Sequence, residues 1–153
     1  MRSHVVIGGI LAVCLLFGAL VFYRTTESHY LQGTFGGVSL KVEVADTEAA
    51  RERGLGGRTV IPDNYGMLFV FKTPEKYGFW MKDMEAPIDM FWLDSAGVVV
   101  SEKENVRPAS YPTVFYPEEP ALYVLETRAG FAHDHLIATG TPLELQKFPT
   151  VSK

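Results

Sequence analysis

The chain has 153 residues, 14 of them basic and 18 acidic, and a formal net charge of −4. This length allows one folded domain and a short additional segment. The acidic balance and the lack of any run of four Lys or Arg residues argue against nucleic acid as a partner. The single cysteine, Cys14, lies in an apolar segment, so the rest of the chain has no disulfide, zinc–thiolate site or cysteine nucleophile.

Residues 1–24 predict a transmembrane signal-anchor. Val5–Tyr23 is a run of 19 residues without a charge, which is long enough to cross a bilayer as a helix. A cleaved signal peptide has a shorter apolar region followed by small residues, and no such site follows here. Lipidation of Cys14 is disfavoured because Val13, not a small residue, precedes it. We predict a single-pass protein of the cell membrane, anchored by Val5–Tyr23, with an extracytoplasmic carboxy-terminal domain.

The first elements after the anchor are a linker, a strand and a helix. Residues 25–37 are polar and contain glycines, which predicts a tether. Apolar and polar side chains alternate over Val38–Val44, which predicts a strand buried on one face. Asp46 or Thr47 is expected to cap a short helix, Glu48–Arg53, that ends at a glycine.

The central stretch Gly66–Asp94 is the most aromatic part of the chain. It contains three short apolar runs, each bounded by Pro, Gly or charged residues, as strands of a small sheet are. The runs are Met67–Phe71, Gly78–Met81 and Ile88–Leu93. Polar groups therefore lie beside a dense aromatic surface, which we take as the first surface to test.

The last third of the chain predicts further short strands. Val98–Val100 is a strand, and the charged segment Glu102–Asn105 predicts a sheet edge. Four prolines exclude a helix or a central strand over Arg107–Pro120, which is expected to be an irregular loop. A strand, a helix and a strand follow, at Ala121–Glu126, Ala129–Ile137 and Thr141–Leu145. Residues 38–148 are thus predicted to form an α+β, β-rich domain of about seven short strands and one or two short helices, a curled sheet or small barrel, with a tail at 149–153.

Several segments follow each other in a familiar order: VEVADTEAARERGLGGR, GMLFVF, FWMKDMEAPIDMFWLDSAGVVV, VLETRAGFA and IATGT. Over about Val42–Leu145 this series resembles the DUF192 family, a domain of unknown function whose signature reads Phe-Trp-Met-Lys-Asn-Thr-x-x-Pro-Leu-Asp. The resemblance implies a compact β-rich fold, frequent export behind an amino-terminal signal or anchor, and no settled activity. Gly56 stands where the family has Met, and Asp83-Met84 stands for Asn-Thr, so no ligand contact is carried over to that dipeptide.

Asp89 is a candidate catalytic residue because apolar neighbours flank it, and a carboxylate in such surroundings is either paired or shifted in pKa. The favoured alternative is structural: Asp89 accepts backbone hydrogen bonds, or pairs with Arg58 or Lys82, and holds a turn in place. Glu126, at the end of a predicted strand, is a candidate second carboxylate for general acid–base chemistry. Nothing in the sequence places Asp89 and Glu126 near each other.

The candidate ligand-binding residues are Trp80, Lys82, Asp89 and Arg58. Trp80 could stack on a sugar or a peptide, although packing in the core is the favoured interpretation. Trp80 and Phe79 point to opposite faces of one strand, so we expect only one of them to line a cleft. Lys82 could present its amine beside the aromatic surface, although a solvated strand end is favoured.

The sequence predicts neither a metal nor a cofactor. His133 and His135 are two positions apart in a predicted helix and point away from each other. The metalloprotease, serine hydrolase and phosphate-loop motifs are absent from the sequence.

Two classes of function remain open. The favoured one is a ligand- or protein-binding module of the cell envelope that uses the aromatic cleft and Arg107–Pro120, with a small molecule, a glycan or an envelope protein as partner. The alternative is an envelope carbohydrate-active enzyme or other hydrolase that uses Asp89 and Glu126 as paired carboxylates.

Overall fold

The computed structural model of the chain describes residues 29–151. The predicted anchor, Val5–Tyr23, lies outside this range. Within residues 29–151, no helix is both long and apolar enough to span a bilayer.

The described residues form nine strands, two short helices and a 3-10 turn. In chain order they are β1 (His29–Phe35), β2 (Val38–Ala45), α1 (Glu48–Arg53), β3 (Tyr65–Glu75), β4 (Phe79–Trp80), β5 (Ile88–Leu93), β6 (Val99–Val106), the 3-10 turn (Pro108–Ser110), β7 (Val114–Phe115), β8 (Ala121–Arg128), α2 (Phe131–His135) and β9 (Leu143–Leu145). The predicted helix Glu48–Arg53 is confirmed, and Thr47 caps it by accepting a hydrogen bond from the Ala50 N–H at 3.2 Å.

Seven strands form one curled sheet in the order β6-β5-β8-β3-β2-β1-β9. Neighbouring strands are antiparallel except β2 and β3, which are parallel. A bridge between Val98 and Pro142 brings the start of β6 next to the start of β9, so the two edges of the curled sheet meet at one corner. The predicted β-rich, curled sheet with two short helices is confirmed.

Both faces of the central strands are buried, which explains why Ile88–Leu93 is apolar at every position except Asp89. Along β5, Phe91 and Leu93 point into the first core, which also contains Phe131 of α2. Ile88, Met90 and Trp92 point into the second core, which is covered by Leu55, Met81 and other residues of the segments before β3 and after β4. Side chains therefore alternate between two cores, as the two faces of a strand require.

The tether predicted at 25–37 is wrong for residues 29–35, which form β1 between β2 and β9. Phe35 is fully buried, and Gly33 lies where a Cβ would collide with Leu145 and the Glu144 carbonyl oxygen of β9. The glycine that favoured a tether thus permits close approach of a neighbouring strand. Val151, in the predicted tail, packs against the first core.

The irregular loop predicted at Arg107–Pro120 contains two short regular pieces, the 3-10 turn and β7. Strand β7 pairs with β4 in a separate two-stranded sheet, in which Phe79 is opposite Phe115 and Trp80 is opposite Val114. This small sheet holds the aromatic residues of β4 at the edge of the second core.

Candidate functional site

A pocket of about 470 Å³ lies over the second core. Helix α1 and its following turn, β3 and β8 of the large sheet, β4 of the small sheet and the segment after β4 all contribute residues to it. Its lining residues are Arg51, Glu52, Arg53, Gly54, Leu55, Phe69, Phe71, Gly78, Phe79, Trp80, Lys82, Met84 and Glu126. The volume is in the range of sites for small molecules.

Aromatic rings from β3 and β4 form the apolar wall of the pocket. Phe79 packs edge-on against Phe69, with ring centroids 4.9 Å apart, and against Trp92 at 6.1 Å. Phe71 stacks on Tyr77. These contacts fix the rings before any ligand binds, because aromatic pairs favour edge-to-face and offset-stacked geometries.

Trp80 lies at the mouth of the pocket and not in the core. Its side chain is 54% exposed, and its ring is 6.5 Å from that of Tyr111 in the proline-rich loop. The favoured prediction that Trp80 packs in the core is wrong, because the two-residue strand β4 turns Phe79 inward. Both residues line the pocket, so the expectation that only one would do so is also wrong.

Three basic side chains surround the pocket: Arg51 and Arg53 of α1, and Lys82 after β4. Arg51 donates a hydrogen bond to the Val70 carbonyl oxygen at 3.0 Å and lies over the Phe71 ring. Arg53 and Lys82 are exposed and form no ion pair with any residue in the range 29–151. The wall residues of the pocket therefore include three basic side chains and one acidic one, Glu52.

Glu126 of β8 supplies a buried carboxyl group to the pocket. Its side chain is only 4% exposed, and its Oε2 atom makes no hydrogen bond to any of the described residues. Met67 and Met90 flank it in register on the two neighbouring strands. Burial raises the pKa of Glu126 to about 8, against an opposing effect of the Arg58 charge. Glu126 is thus mostly protonated at neutral pH.

A buried polar network lies beside Glu126 on the same face of the sheet. Glu43 of β2 is opposite Met67, which is opposite Glu126, so the two carboxyl groups are two strands apart. Arg58 donates a hydrogen bond to Glu43 at 3.0 Å and another to the Tyr65 hydroxyl at 2.6 Å. The Tyr65 hydroxyl also donates to Glu43.

The network holds Arg58 charged and Tyr65 neutral. Burial opposes the charge of Arg58, but its hydrogen bond to Glu43 and the negative charges nearby outweigh burial, so its pKa is raised. Burial and the hydrogen bond to Glu43 also raise the pKa of the Tyr65 hydroxyl. Arg58, a predicted ligand-binding residue, does not line the pocket, and its charge favours the ionised form of Glu126.

Asp89 lies on the opposite face of the sheet from the pocket. It points, with Phe91, into the first core, where its Oδ1 accepts a hydrogen bond from the Asn105 N–H at 2.7 Å and its Oδ2 accepts one from the Ala132 N–H at 2.8 Å. It pairs with neither Arg58 nor Lys82, and the structural alternative based on backbone amides describes its contacts. Asp89, a predicted ligand-binding residue, is therefore not among the residues that line this pocket.

Asp89 and Glu126 are not brought together. Glu126 is opposite Met90 in the pairing of β8 with β5, and side chains at successive positions, such as Asp89 and Met90, point to opposite faces. The predicted pair of carboxylates is therefore separated by the sheet itself.

The two histidines of α2 differ in their surroundings. His133 is exposed and lies 3.3 Å from Asp134, whereas His135 packs against the Phe131 ring. Within the part of the chain that the structure describes, no three His, Cys, Asp or Glu residues are grouped so that they could hold a metal ion.

The sequence pattern did not identify Glu43, Tyr65 or Arg51 as part of the site. Alternation in β2 places Glu43 opposite to Val42 and Val44, which predicts a solvated side chain. Its only sequence signal was its position in a strand next to a segment that contains Arg58.

The curled sheet with its covered second face and pocket defines a small β-rich domain with one buried acid at a ligand-sized cavity. The DUF192 family model (Uncharacterized ACR) matches residues 31–145. The chain belongs to the DUF192 family, which confirms the predicted resemblance.

Two solved structures are similar to this chain. One, from Sinorhizobium meliloti 1021 and described as a proposed transcription regulator, is 29% identical with a TM-score of 0.72, and the alignment covers 79% of this chain and 97% of that chain. The other, a protein of unknown function from Novosphingobium aromaticivorans DSM 12444, is 28% identical with a TM-score of 0.69, covering 76% of this chain and 84% of that chain. No curated protein matches this chain.

Proposed function

We propose that this protein is a membrane-tethered, extracytoplasmic module that binds a small molecule in the pocket between α1 and the small sheet. The observation that carries the proposal is Glu126, which lines the pocket and whose buried Oε2 atom has no hydrogen-bond partner among the described residues. Buried polar atoms are normally satisfied, so an unsatisfied one at a pocket is a place for a ligand group.

The pocket residues have distinct roles in this proposal. Phe79 and Trp80 contact the apolar part of the ligand, and Trp80 can move because most of its ring is exposed. Lys82 contacts a polar or anionic group at the mouth. Arg58 acts on the ligand indirectly, through the protonation of Glu126.

Ligand binding is tested with the full-length chain in detergent and a broad set of small molecules, read as a change in melting temperature. A ligand that binds only the folded state raises that temperature. Trp80→Ala and Lys82→Gln are expected to reduce the shift at least by half, whereas Lys147→Gln, far along the chain and outside the pocket, leaves it unchanged. A ligand whose shift is the same in all three variants binds elsewhere and contradicts the proposal.

The location is proposed from Val5–Tyr23, whose 19 uncharged residues suit a membrane-spanning helix. Reporters fused after Lys153 test it: one that works only outside the cytoplasm is expected to be active, and one that works only in the cytoplasm is expected to be inactive. The reverse pattern rules out the proposed orientation. A mature amino terminus near Thr25 replaces the anchor by a cleaved signal.

A hydrolase is the second candidate function, favoured by the raised pKa of Glu126. A buried carboxyl group with a pKa of about 8 can donate a proton at neutral pH, as the general acid of a glycosidase does. Asp89 cannot be its partner, but Glu52 lines the same pocket. Chromogenic glycosides and esters test this function: turnover that disappears in both Glu126→Gln and Glu52→Gln supports it, and turnover retained in Glu126→Gln excludes it.

A further inference from the structure

Basic side chains and a buried carboxyl group line different parts of the pocket. Arg51, Arg53 and Lys82 are on its walls together with one acid, Glu52, whereas the buried acid Glu126 lies at the sheet. Because Glu126 is mostly protonated at neutral pH and the three basic side chains outnumber Glu52, the pocket attracts negative charge. A ligand that interacts both with the basic walls and with Glu126 needs two chemically different groups.

The walls favour a carboxylate or another small anion. Arg53 and Lys82 have no ion-pair partner in residues 29–151, and both line the pocket. Arg51 is already bound to the Val70 carbonyl oxygen. Arg53 and Lys82 are therefore the side chains available to an anion.

The part of the pocket at Glu126 favours a hydrogen-bond donor that carries a positive charge. The in-register neighbours of Glu126 are Met67 and Met90, which supply no N–H or O–H group. Arg58 faces Glu126, but its guanidinium donates to Glu43 and Tyr65. A donor for Glu126 must come from the pocket, and an ammonium group supplies both the hydrogen bond and the charge that make a buried carboxylate stable.

Between the two places the pocket is apolar and aromatic. Phe69, Phe71 and Phe79 form a wall whose rings are fixed by contacts with each other. This wall fits an apolar side chain.

We propose that the pocket binds a zwitterion with an apolar side chain, an amino acid or a short peptide, whose ammonium group meets Glu126 and whose carboxylate meets Arg53 and Lys82. This inference rests on the proposed ligand-binding function and names its substrate class. On binding, the proton of the Glu126 carboxyl group is released to solvent, and the resulting carboxylate pairs with the ligand's ammonium group.

The charged groups around Glu126 determine how readily it releases its proton. Arg58 faces it from the segment after α1, with Glu43 two strands away, and Arg51, Glu52, Arg53 and Lys82 are on the pocket walls. Arg58 favours the ionised form, and an added ammonium group favours it further. We therefore expect close to one proton released per ligand at pH 7.

Isothermal titration of the full-length chain tests the inference with four probes: L-phenylalanine, L-leucyl-L-phenylalanine, and the N-acetyl and C-terminal amide forms of that dipeptide. Comparison of the first two distinguishes an amino acid site from a peptide site. The dipeptide is expected to lose at least tenfold in affinity when its amine is acetylated or its carboxylate is amidated. Titration in two buffers of different ionisation enthalpy measures the proton release.

Two variants assign the ligand's groups to residues. Glu126→Gln is expected to abolish the preference for the free amine over the acetylated form and the proton release, while Lys82→Gln weakens only the preference for the carboxylate. Glu144→Gln, exposed on β9, is the control that changes neither. A melting temperature for Glu126→Gln at or above that of the wild type shows that the variant folds.

Equal affinity for the acetylated dipeptide, or a preference that survives Glu126→Gln, overturns the inference. Failure of all four probes also overturns it. In that case a different ligand found in the broad screen leaves the proposed function standing, whereas no pocket-dependent ligand in that screen removes both.

Discussion

Asp89 Oδ2 accepts a hydrogen bond from the backbone N–H of Ala132 at 2.8 Å, which joins β5 to the first turn of α2 across 43 positions of the sequence. Its other oxygen accepts the Asn105 N–H of the edge strand β6. One fully buried carboxylate thus links three elements around the first core.

Asp89→Ala is expected to lower the free energy of unfolding by about 2–4 kcal/mol, because two buried N–H groups lose their acceptor. Asp89→Asn keeps one acceptor but turns an N–H₂ group toward the other amide, so its cost is expected to be smaller yet still above about 1 kcal/mol. Urea denaturation followed by tryptophan fluorescence measures both. Glu104→Ala, exposed on β6, serves as control, and a change below about 0.5 kcal/mol in both Asp89 variants contradicts the structural role.

Glu126→Gln is expected to stabilise the domain, and more so at higher pH. Burial raises the pKa of Glu126 from 4.5 to about 8, so between these values the folded state holds one proton more than the unfolded chain. The wild-type free energy of unfolding therefore falls by about 1.4 kcal/mol per pH unit across this window. Glutamine has no such proton.

The stability difference between Glu126→Gln and wild type should accordingly grow by about 3 kcal/mol from pH 5 to pH 8 and then level off. Denaturation curves at several pH values, with Glu144→Gln as the exposed control, measure it. A difference that stays constant with pH would show that Glu126 titrates normally.

Truncation of Trp92 is expected to lower the free energy of unfolding much more than truncation of Trp80. Trp92 is fully buried and its Nε1–H donates to the Tyr77 carbonyl oxygen at 2.9 Å, so Trp92→Ala should cost about 3–5 kcal/mol. Trp80→Ala should cost below about 1 kcal/mol, because most of its ring is already exposed. Denaturation monitored by far-UV circular dichroism compares them, and a similar cost for both would place Trp80 in the core.

Gly97 has a left-handed backbone conformation, with φ +80°. The Phe148 ring packs against it, so that an added Cβ would collide with that ring. Gly37 has a similar φ, +78°, but nothing within 4 Å of an added Cβ. Gly37→Ala therefore measures the backbone strain alone, about 1–2 kcal/mol. Gly97→Ala is expected to cost at least about 1 kcal/mol more.

The extra cost of Gly97→Ala should shrink in a Phe148→Ala background, since the colliding ring is then absent. A double-mutant cycle of thermal or urea denaturation gives the coupling. Equal costs for Gly37→Ala and Gly97→Ala would mean that Phe148 does not pack on the turn.

Local patterns in the sequence were enough to predict the strands and helices whose apolar side chains recur at a regular spacing. The alternation over Val38–Val44 identified β2, the cap and glycine identified α1, and the apolar run Ile88–Leu93 matches β5 residue for residue. These features depend on neighbouring residues only, which is why a single sequence reveals them. The same is true of the linear motifs that identified the DUF192 family.

The tertiary structure decided which polar residues are buried and which face the pocket. Glu43 reads as solvated in its strand, but Arg58 and Tyr65 cover it from a segment fifteen and more positions away. Asp89 and Glu126 both lie in buried strands, and only the register of β5 with β8 shows that they point to opposite faces.

Trp80 and β1 illustrate the same limit. A two-residue strand is too short to show an alternating pattern of apolar and polar residues. The partner strand β7, not the sequence around Trp80, therefore determines that the ring lies at the pocket mouth. Residues 29–35 carry too few apolar side chains to predict a strand, and they form one because β2 and β9 supply hydrogen bonds on both sides. The sequence by itself determined the local elements and the family, while pairing between distant strands determined the pocket, since burial there depends on residues far apart in the chain.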